Sequence, residues 1–266
     1  MMAEKPIWLV GCGNMGGAML RGWLSHGVDA ANVLVIDPQA SDLPEGVERV
    51  DAAPVGAAPQ LLLLAIKPQM LEAVAPNLAI GPNTLVISIL AGVETASLAR
   101  HLAGAAAYVR VMPNMPAAIG EGVSAVYAAT LGAERRAQVE SLVSPLGAVE
   151  WVDDEDLFHA ITGLSGSGPA FVFRFIDAMA AAGVGEGISA DLAMRLAVAT
   201  VAGSARLALT TGKPPRDLAE AVRSPNGTTH AGLVAMDASE FTNIVRDTVS
   251  AAAKRSRELA AEAARR

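Results

Sequence analysis

The sequence predicts an α/β protein, with a parallel sheet covered by helices in its N-terminal part and an all-α part after it. Three observations predict this. Short and almost wholly apolar runs alternate with helical periods as far as Asp154; no run of strand character follows Glu155; and a glycine-rich turn joins the first apolar run to the first helical period.

The elements follow in order. IWLV (Ile7–Val10) leads into GCGNMGG and then the helical AMLRGWLSHG. VLVID (Val33–Asp37), LLLLAI (Leu61–Ile66), TLVISIL (Thr84–Leu90), YVRVM (Tyr108–Met112) and VSAVYA (Val123–Ala128) complete a set of six strands, and VEWV (Val149–Val152) closes the domain. Strands this apolar are buried on both faces, as a parallel sheet between two helical layers requires. From Glu155 the pattern is helical, interrupted at LSGSGPAF, with FVFRFIDAMAAAG, ADLAMRLAVATVAGSARLAL and FTNIVRDTVSAAAKRSRELAAEAA as the main periods. Two domains are therefore expected, residues 1–154 and residues 155–266.

Ala190 to Leu209 is apolar almost all round, with Asp191, Arg195 and Arg206 its only charges. Such a helix must be covered on most sides. A domain of about 110 residues cannot do this alone, so the second domain is expected to dimerise, giving a homodimer or a higher homo-oligomer.

Composition narrows the function. Of 266 residues, 52% are hydrophobic and 18% charged, which fits a compact fold rather than a disordered chain. A net charge of −7 argues against nucleic acid as a partner. The single cysteine, Cys12, excludes an internal disulfide and fits a reducing, cytoplasmic compartment. The start MMAEKPIWLV has no basic region before a long apolar stretch, so no signal peptide is expected. The longest uncharged run, Ala73–Val93, is broken by Pro76, Asn77, Gly81, Pro82 and Asn83, which argues against a membrane span there. His26, His101, His159 and His230 show no metal-ligand spacing, so no metal is expected.

The glycine turn points to a dinucleotide. Gly11 allows a tight turn, Gly13 lets a pyrophosphate approach the backbone, and Gly16 lets the helix pack closely on the strand, as in a Rossmann-type domain. Phosphate then meets the positive end of the helix dipole. Asp37 ends the second strand, where a carboxylate takes the adenosine ribose hydroxyls and favours NADH over NADPH; its other reading is the start of a turn at Asp37-Pro38, and Gln39 and Ser41 offer groups that can still accommodate a 2′-phosphate. Lys67, in AIKPQ after the third strand, is either a partner for a cofactor phosphate or a solvated loop lysine.

A second stretch, RSPNGTTHAGL (Arg223–Leu233), crowds Ser224, Asn226, Gly227, Thr228, Thr229 and His230 ahead of a helical period. A loop feeding a helix start can hold an anion with backbone N–H groups alone; an ordinary capped helix would read the same.

Taken together, GCGNMG, AIKP, SILAGV (Ser88–Val93), RVMPNMPAAIGEG (Arg110–Gly122), TGLSGSGPAF (Thr162–Phe171) and SPNGTTHAGL (Ser224–Leu233) resemble pyrroline-5-carboxylate reductase, in the same order and over nearly the whole chain. The resemblance implies a Rossmann domain followed by a helical domain that dimerises, with an active site between the cofactor and a helical part that can belong to the partner subunit. It implies reduction of a cyclic imine carboxylate to proline by hydride from NADPH or NADH. By similarity, Val10, Gly11, Cys12, Gly13, Asn14 and Met15, then Ala65, Ile66, Lys67 and Pro68, then Ile89, Leu90 and Ala91 contact the dinucleotide. Asn114, Ala117, Ser224, Thr228 and Thr229 lie nearest the substrate, with Gly227 giving the backbone its freedom there.

In that scheme Thr228 and Thr229 grip the substrate carboxylate without a cation, since a fixed cation beside the site would disfavour the iminium. Thr229 is the hydroxyl expected to touch substrate and relay a proton, and a backbone carbonyl such as that of Ala117 accepts the imine N–H. Asn114 is either a substrate contact or a turn residue. Ser165 lacks the preceding strand that a nucleophile elbow needs. Two other functions compete. A 6-phosphogluconate-type hydroxyacid dehydrogenase needs a general base, usually a second-domain lysine, but no lysine occurs between Lys67 and Lys213. A non-catalytic dinucleotide-sensing protein would bind the cofactor without turning over an imine.

Overall fold

A computed structural model of the chain describes residues 6–264; Met1–Lys5, on which the expected lack of a signal peptide partly rests, lie outside the described residues. The chain divides into two compact units, one running to Gly166 and resuming at Ala252, the other spanning Ser167–Ala251.

The first unit is built on one eight-stranded sheet. Its elements are β1 (Ile7–Val10), α1 (Asn14–Ser25), β2 (Val33–Ile36), β3 (Glu48–Val50), β4 (Leu61–Leu64), α2 (Leu71–Val74), β5 (Leu85–Ser88), α3 (Thr95–His101), β6 (Ala107–Met112), β7 (Gly122–Tyr127), α4 (Ala133–Val143), β8 (Gly147–Trp151) and α5 (Phe158–Ile161). The order across the sheet is β3-β2-β1-β4-β5-β6-β7-β8.

Successive strand residues point to opposite faces, and both faces are covered. Leu9, Val33, Val35, Leu61, Leu63, Leu85 and Ile87 join Met19, Leu20 and Trp23 of α1 in one core. Trp8, Val10, Leu34, Ile36, Leu62, Leu64 and Val86 join Leu71, Leu98 and Leu102 in the other. The Trp23 indole N–H donates to the Leu142 carbonyl at 2.7 Å, tying α1 to α4.

Two features depart from a plain parallel sheet. β7 pairs antiparallel to β6. Only Pro113–Glu121 separates the two strands, and that is shorter than the dozen or more residues a parallel crossover needs. The other departure is β3, a short edge strand with two charged residues and no buried position, which is how sheets protect a terminal edge from further pairing.

The second unit is helical: α6 (Gly168–Gly185), α7 (Ala190–Thr211), α8 (Pro215–Ala221), α9 (Thr228–Ala238) and the start of α10 (Phe241–Ala264). Its internal core is small, consisting of Ala180, Ala193 and Ala197 where α6 meets α7. Phe173, Leu196, Leu209 and Ile244 are exposed. Among the described residues α7 is the one helix whose length and composition would suit a membrane span, yet only 11% of that stretch is buried. An apolar surface this open requires a cover.

Candidate functional site

Adjacent parallel strands in register bring distant segments to one edge of the sheet. Val10 pairs with Leu64, and Leu64 with Ser88. The next residue of each strand continues the ladder: Ala65 N–H donates to Val10 C=O at 2.8 Å, and Ile89 N–H to Leu64 C=O at 3.0 Å. The segments starting at Gly11, Ala65 and Ile89 therefore lie side by side at the carboxyl edge, where open α/β sheets bind ligands.

The glycine turn has the shape a dinucleotide needs. Gly11 has φ +88°, and a Cβ there would lie 2.7 Å from the Ala65 carbonyl oxygen. A Cβ on Gly16 would run into the Gly11 carbonyl, so α1 seats directly on the turn. Gly13 differs, because a Cβ there would meet nothing within 4 Å. Gly13 also stands at the start of α1 with no side chain capping it and no acidic residue in the first turn. No side chain therefore caps the first N–H groups of this 12-residue helix, an arrangement that can receive a phosphate.

Asp37 is tied into this turn. Its Oδ2 accepts the Cys12 N–H at 2.7 Å and its Oδ1 accepts the Gln39 N–H at 2.8 Å. The Cys12 thiol is pushed up from its usual pKa, first by burial and then by the Asp37 carboxylate, with Arg21 opposing them. The neutral thiol is a poor nucleophile. Iodoacetamide should therefore label Cys12 more slowly at neutral pH than it labels free cysteine, with the rate rising only under alkaline conditions. Equal rates at neutral pH would contradict the geometry.

The loop after β6 holds the next expected residues. Asn114 Nδ2 donates to the Ser165 carbonyl at 3.2 Å, and Asn114 Oδ1 accepts the Val123 N–H at 3.0 Å, so both ends of this amide brace the loop. Ala117 is buried, and its carbonyl accepts the Gly120 N–H at 3.1 Å, leaving one lone pair. Ser165 lies in a π-helical turn, Thr162–Gly166, and its hydroxyl donates back to the Ile161 carbonyl at 3.1 Å. His159 Nδ1 lies 3.0 Å from Ser256 Oγ.

In the helical unit, Gly227 starts α9 with φ −82° and ψ 174°, again without a side-chain cap. Asn226 before it adopts φ +60°, a left-handed conformation that asparagine tolerates. A Cβ on Gly227 would collide with Ser224 Oγ, so the loop folds tightly on Ser224. Thr228 and Thr229 open the helix with no acidic residue in its first turn. Arg223, the nearest cation in the chain, is turned to other partners: its Nε donates to His230 Nδ1 at 2.9 Å and its Nη1 lies 3.0 Å from Glu220.

Reading the sequence alone missed a buried network beside the sheet. Arg110 of β6 is 4% exposed, pairs with Glu155 at 3.1 Å, and lies 4.3 Å over the Phe158 ring. Glu155 also accepts the Thr95 N–H at 2.9 Å and the Thr95 hydroxyl at 2.7 Å. An arginine in the apolar run YVRVM was the available signal, since a charge in a strand covered on both faces must have a partner. No group of three or more metal-ligating side chains occurs among the described residues.

Comparison with known proteins agrees with this architecture. Residues 155–259 match the family model described as pyrroline-5-carboxylate reductase dimerisation, and residues 6–92 match one described as NADP oxidoreductase, coenzyme F420-dependent. Pyrroline-5-carboxylate reductase of Pseudomonas aeruginosa is 37% identical over 97% of this chain and 98% of its own length. The solved structure of a pyrroline-5-carboxylate reductase from Coxiella burnetii superposes with a TM-score of 0.88 at 30% identity, covering 97% of this chain and 99% of that one. A Plasmodium falciparum pyrroline carboxylate reductase solved with NADP bound shares the fold, with a TM-score of 0.79 at 24% identity over 97% of this chain and all of that one.

Proposed function

The chain belongs to the pyrroline-5-carboxylate reductase family, and from that premise we propose how its own residues hold the reactants. It reduces L-1-pyrroline-5-carboxylate to L-proline with hydride from NAD(P)H, and it assembles as a homo-oligomer. The open apolar surface of α7 supports a dimer as the basic assembly, and the lone cysteine fits a cytoplasmic enzyme. When bound, the reduced dinucleotide would supply hydride to the C=N carbon of the N-protonated imine, and the C=N π electrons would return to the nitrogen, which keeps its proton as a neutral ring amine.

The backbone from Val10 to Gly16, with Asn14 and Met15 in the first turn of α1, cradles the pyrophosphate. Asp37 takes the ribose hydroxyls. Ala65–Pro68 and Ile89–Ala91 border the dinucleotide along the strand ends, with Lys67 at the phosphates. The observation that carries the substrate assignment is the uncapped start of α9. It offers the Thr228 and Thr229 N–H groups and two hydroxyls, while the charge of Arg223 is engaged by Glu220. A carboxylate is held there by neutral donors, so the positive charge on the imine nitrogen that makes its carbon electrophilic is not opposed. Ser224 and Gly227 shape that loop. Ala117 offers its remaining carbonyl lone pair to the ring N–H, and Asn114 acts by bracing the loop that carries it.

Thr229 is the residue on which this assignment turns. Thr229→Ala should lower kcat/KM for pyrroline-5-carboxylate about tenfold or more, the worth of a hydrogen bond to a charged group. The dinucleotide Kd should stay within twofold, and Thr229→Ser should restore most of the loss. Unchanged kinetics in Thr229→Ala would remove Thr229 from the site.

A further inference from the structure

We propose that this enzyme discriminates against the 2′-phosphate and takes NADH in preference to NADPH, with Asp37 as the residue that decides. The inference rests on the dinucleotide reading above and deepens it.

An ionised carboxylate has about four lone-pair positions. Asp37 spends two of them on the N–H groups of Cys12 and Gln39. These bonds run from two sides and fix the carboxylate beside the glycine turn, because Val10 and Ile36 are paired neighbours and Gly11 N–H donates to the Ile36 carbonyl at 3.0 Å. Two acceptor positions remain, which matches the two hydroxyl donors of an unmodified adenosine ribose.

A 2′-phosphate cannot use that arrangement. A phosphate monoester is mostly a dianion near neutral pH, with about −1.5 to −2 charges, so it meets a carboxylate as a second anion that for the most part has no proton to share. Two amides that could otherwise serve a phosphate here, those of Cys12 and Gln39, are consumed by Asp37 itself. The neighbouring cation is committed as well. Arg49 Nη1 donates to the carbonyls of Asp37 and Pro38 at 3.2 and 2.8 Å, and its Nη2 pairs with Asp51 at 3.1 Å. Arg49 therefore braces the backbone that carries Asp37, with Asp51 beside its other terminal nitrogen.

The test uses the full-length protein and two non-reacting probes, ADP-ribose and 2′-phospho-ADP-ribose, titrated by calorimetry, alongside kcat/KM for NADH and NADPH. The wild-type protein is expected to bind ADP-ribose at least about tenfold more tightly, with the kinetic ratio in the same direction. Asp37→Asn keeps one acceptor oxygen and removes the charge, and it should shrink the discrimination at least fivefold by improving binding of the phosphorylated probe. Arg49→Gln should leave the ratio within twofold. Equal or tighter binding of 2′-phospho-ADP-ribose by the wild type overturns the inference without needing any variant to fold. A selective loss of the phosphorylated probe in Arg49→Gln overturns it too, by showing that Arg49 receives the phosphate. Failure of both probes to bind would instead overturn the dinucleotide reading itself.

Discussion

Replacing Glu155 by alanine is expected to lower the unfolding free energy by about 3–5 kcal/mol, the usual cost of leaving a buried charge without its partner. Arg110 cannot escape to water, since its side chain is 5% exposed and its guanidinium lies against the fully buried Phe158 ring. Burial already pulls the Arg110 pKa down, and the hydrogen bond and charge of Glu155 work against that shift. Without Glu155 the Thr95 N–H and hydroxyl also lose their acceptor. Because whole domains are stable by only about 5–15 kcal/mol, this single change removes a large share of the margin. The measurement is urea unfolding, read as a lower midpoint at unchanged slope. The double replacement Arg110→Met with Glu155→Leu should recover much of the loss, since an apolar pair needs no desolvation of charge. A midpoint in Glu155→Ala equal to wild type would show that the pair contributes nothing.

The second large effect falls on the cofactor. Gly11→Ala is expected to weaken dinucleotide binding by about tenfold to a hundredfold. A left-handed conformation costs an L-residue about 1–2 kcal/mol of stability, and at Gly11 the new methyl would in addition stand 2.7 Å from the Ala65 carbonyl oxygen and 3.0 Å from Ile66 Cγ2, so the turn itself must shift. Since the Ala65 carbonyl is backbone at the same strand edge, relief comes only by moving the segment proposed to border the ligand. Gly27→Ala is the control: Gly27 has φ +92° but its Cβ would meet nothing within 4 Å. It should cost some stability and leave the nucleotide Kd unchanged. Equal Kd values for Gly11→Ala and wild type, by fluorescence titration, would refute the close-approach argument.

The elements that were legible in the sequence are those where one physical signal dominates. β1, β2 and β4 are uninterrupted apolar runs and β5 is one as far as Ser88, all buried at nearly every position, and the glycine turn announces its own geometry. Strand ends were overrun by one to a few residues. Asp37, Ala65 and Ile89 still make ladder-like hydrogen bonds as the chain turns away, so apolar character outlasts the strand. β3 left no readable pattern, because a three-residue edge strand buries nothing. The direction of β7 was readable in principle from the short connection before it.

The site shows the same division. Residue types and local order pointed to Gly11, Gly13, Gly16 and the Thr228-Thr229 helix start. What could not be read were contacts between residues far apart in the chain. Cys12 N–H to Asp37 spans 25 positions, Asn114 to Ser165 spans 51, and Arg110 to Glu155 spans 45. Asparagine in a loop looks the same on paper whether it meets a substrate or props up its own backbone.

The bareness of α7 has a consequence for how much working enzyme a cell obtains from its transcripts. A helix of 22 residues that one copy leaves so largely uncovered makes association part of folding. At low abundance the folded, associated share is then expected to rise faster than in proportion to the chains synthesised.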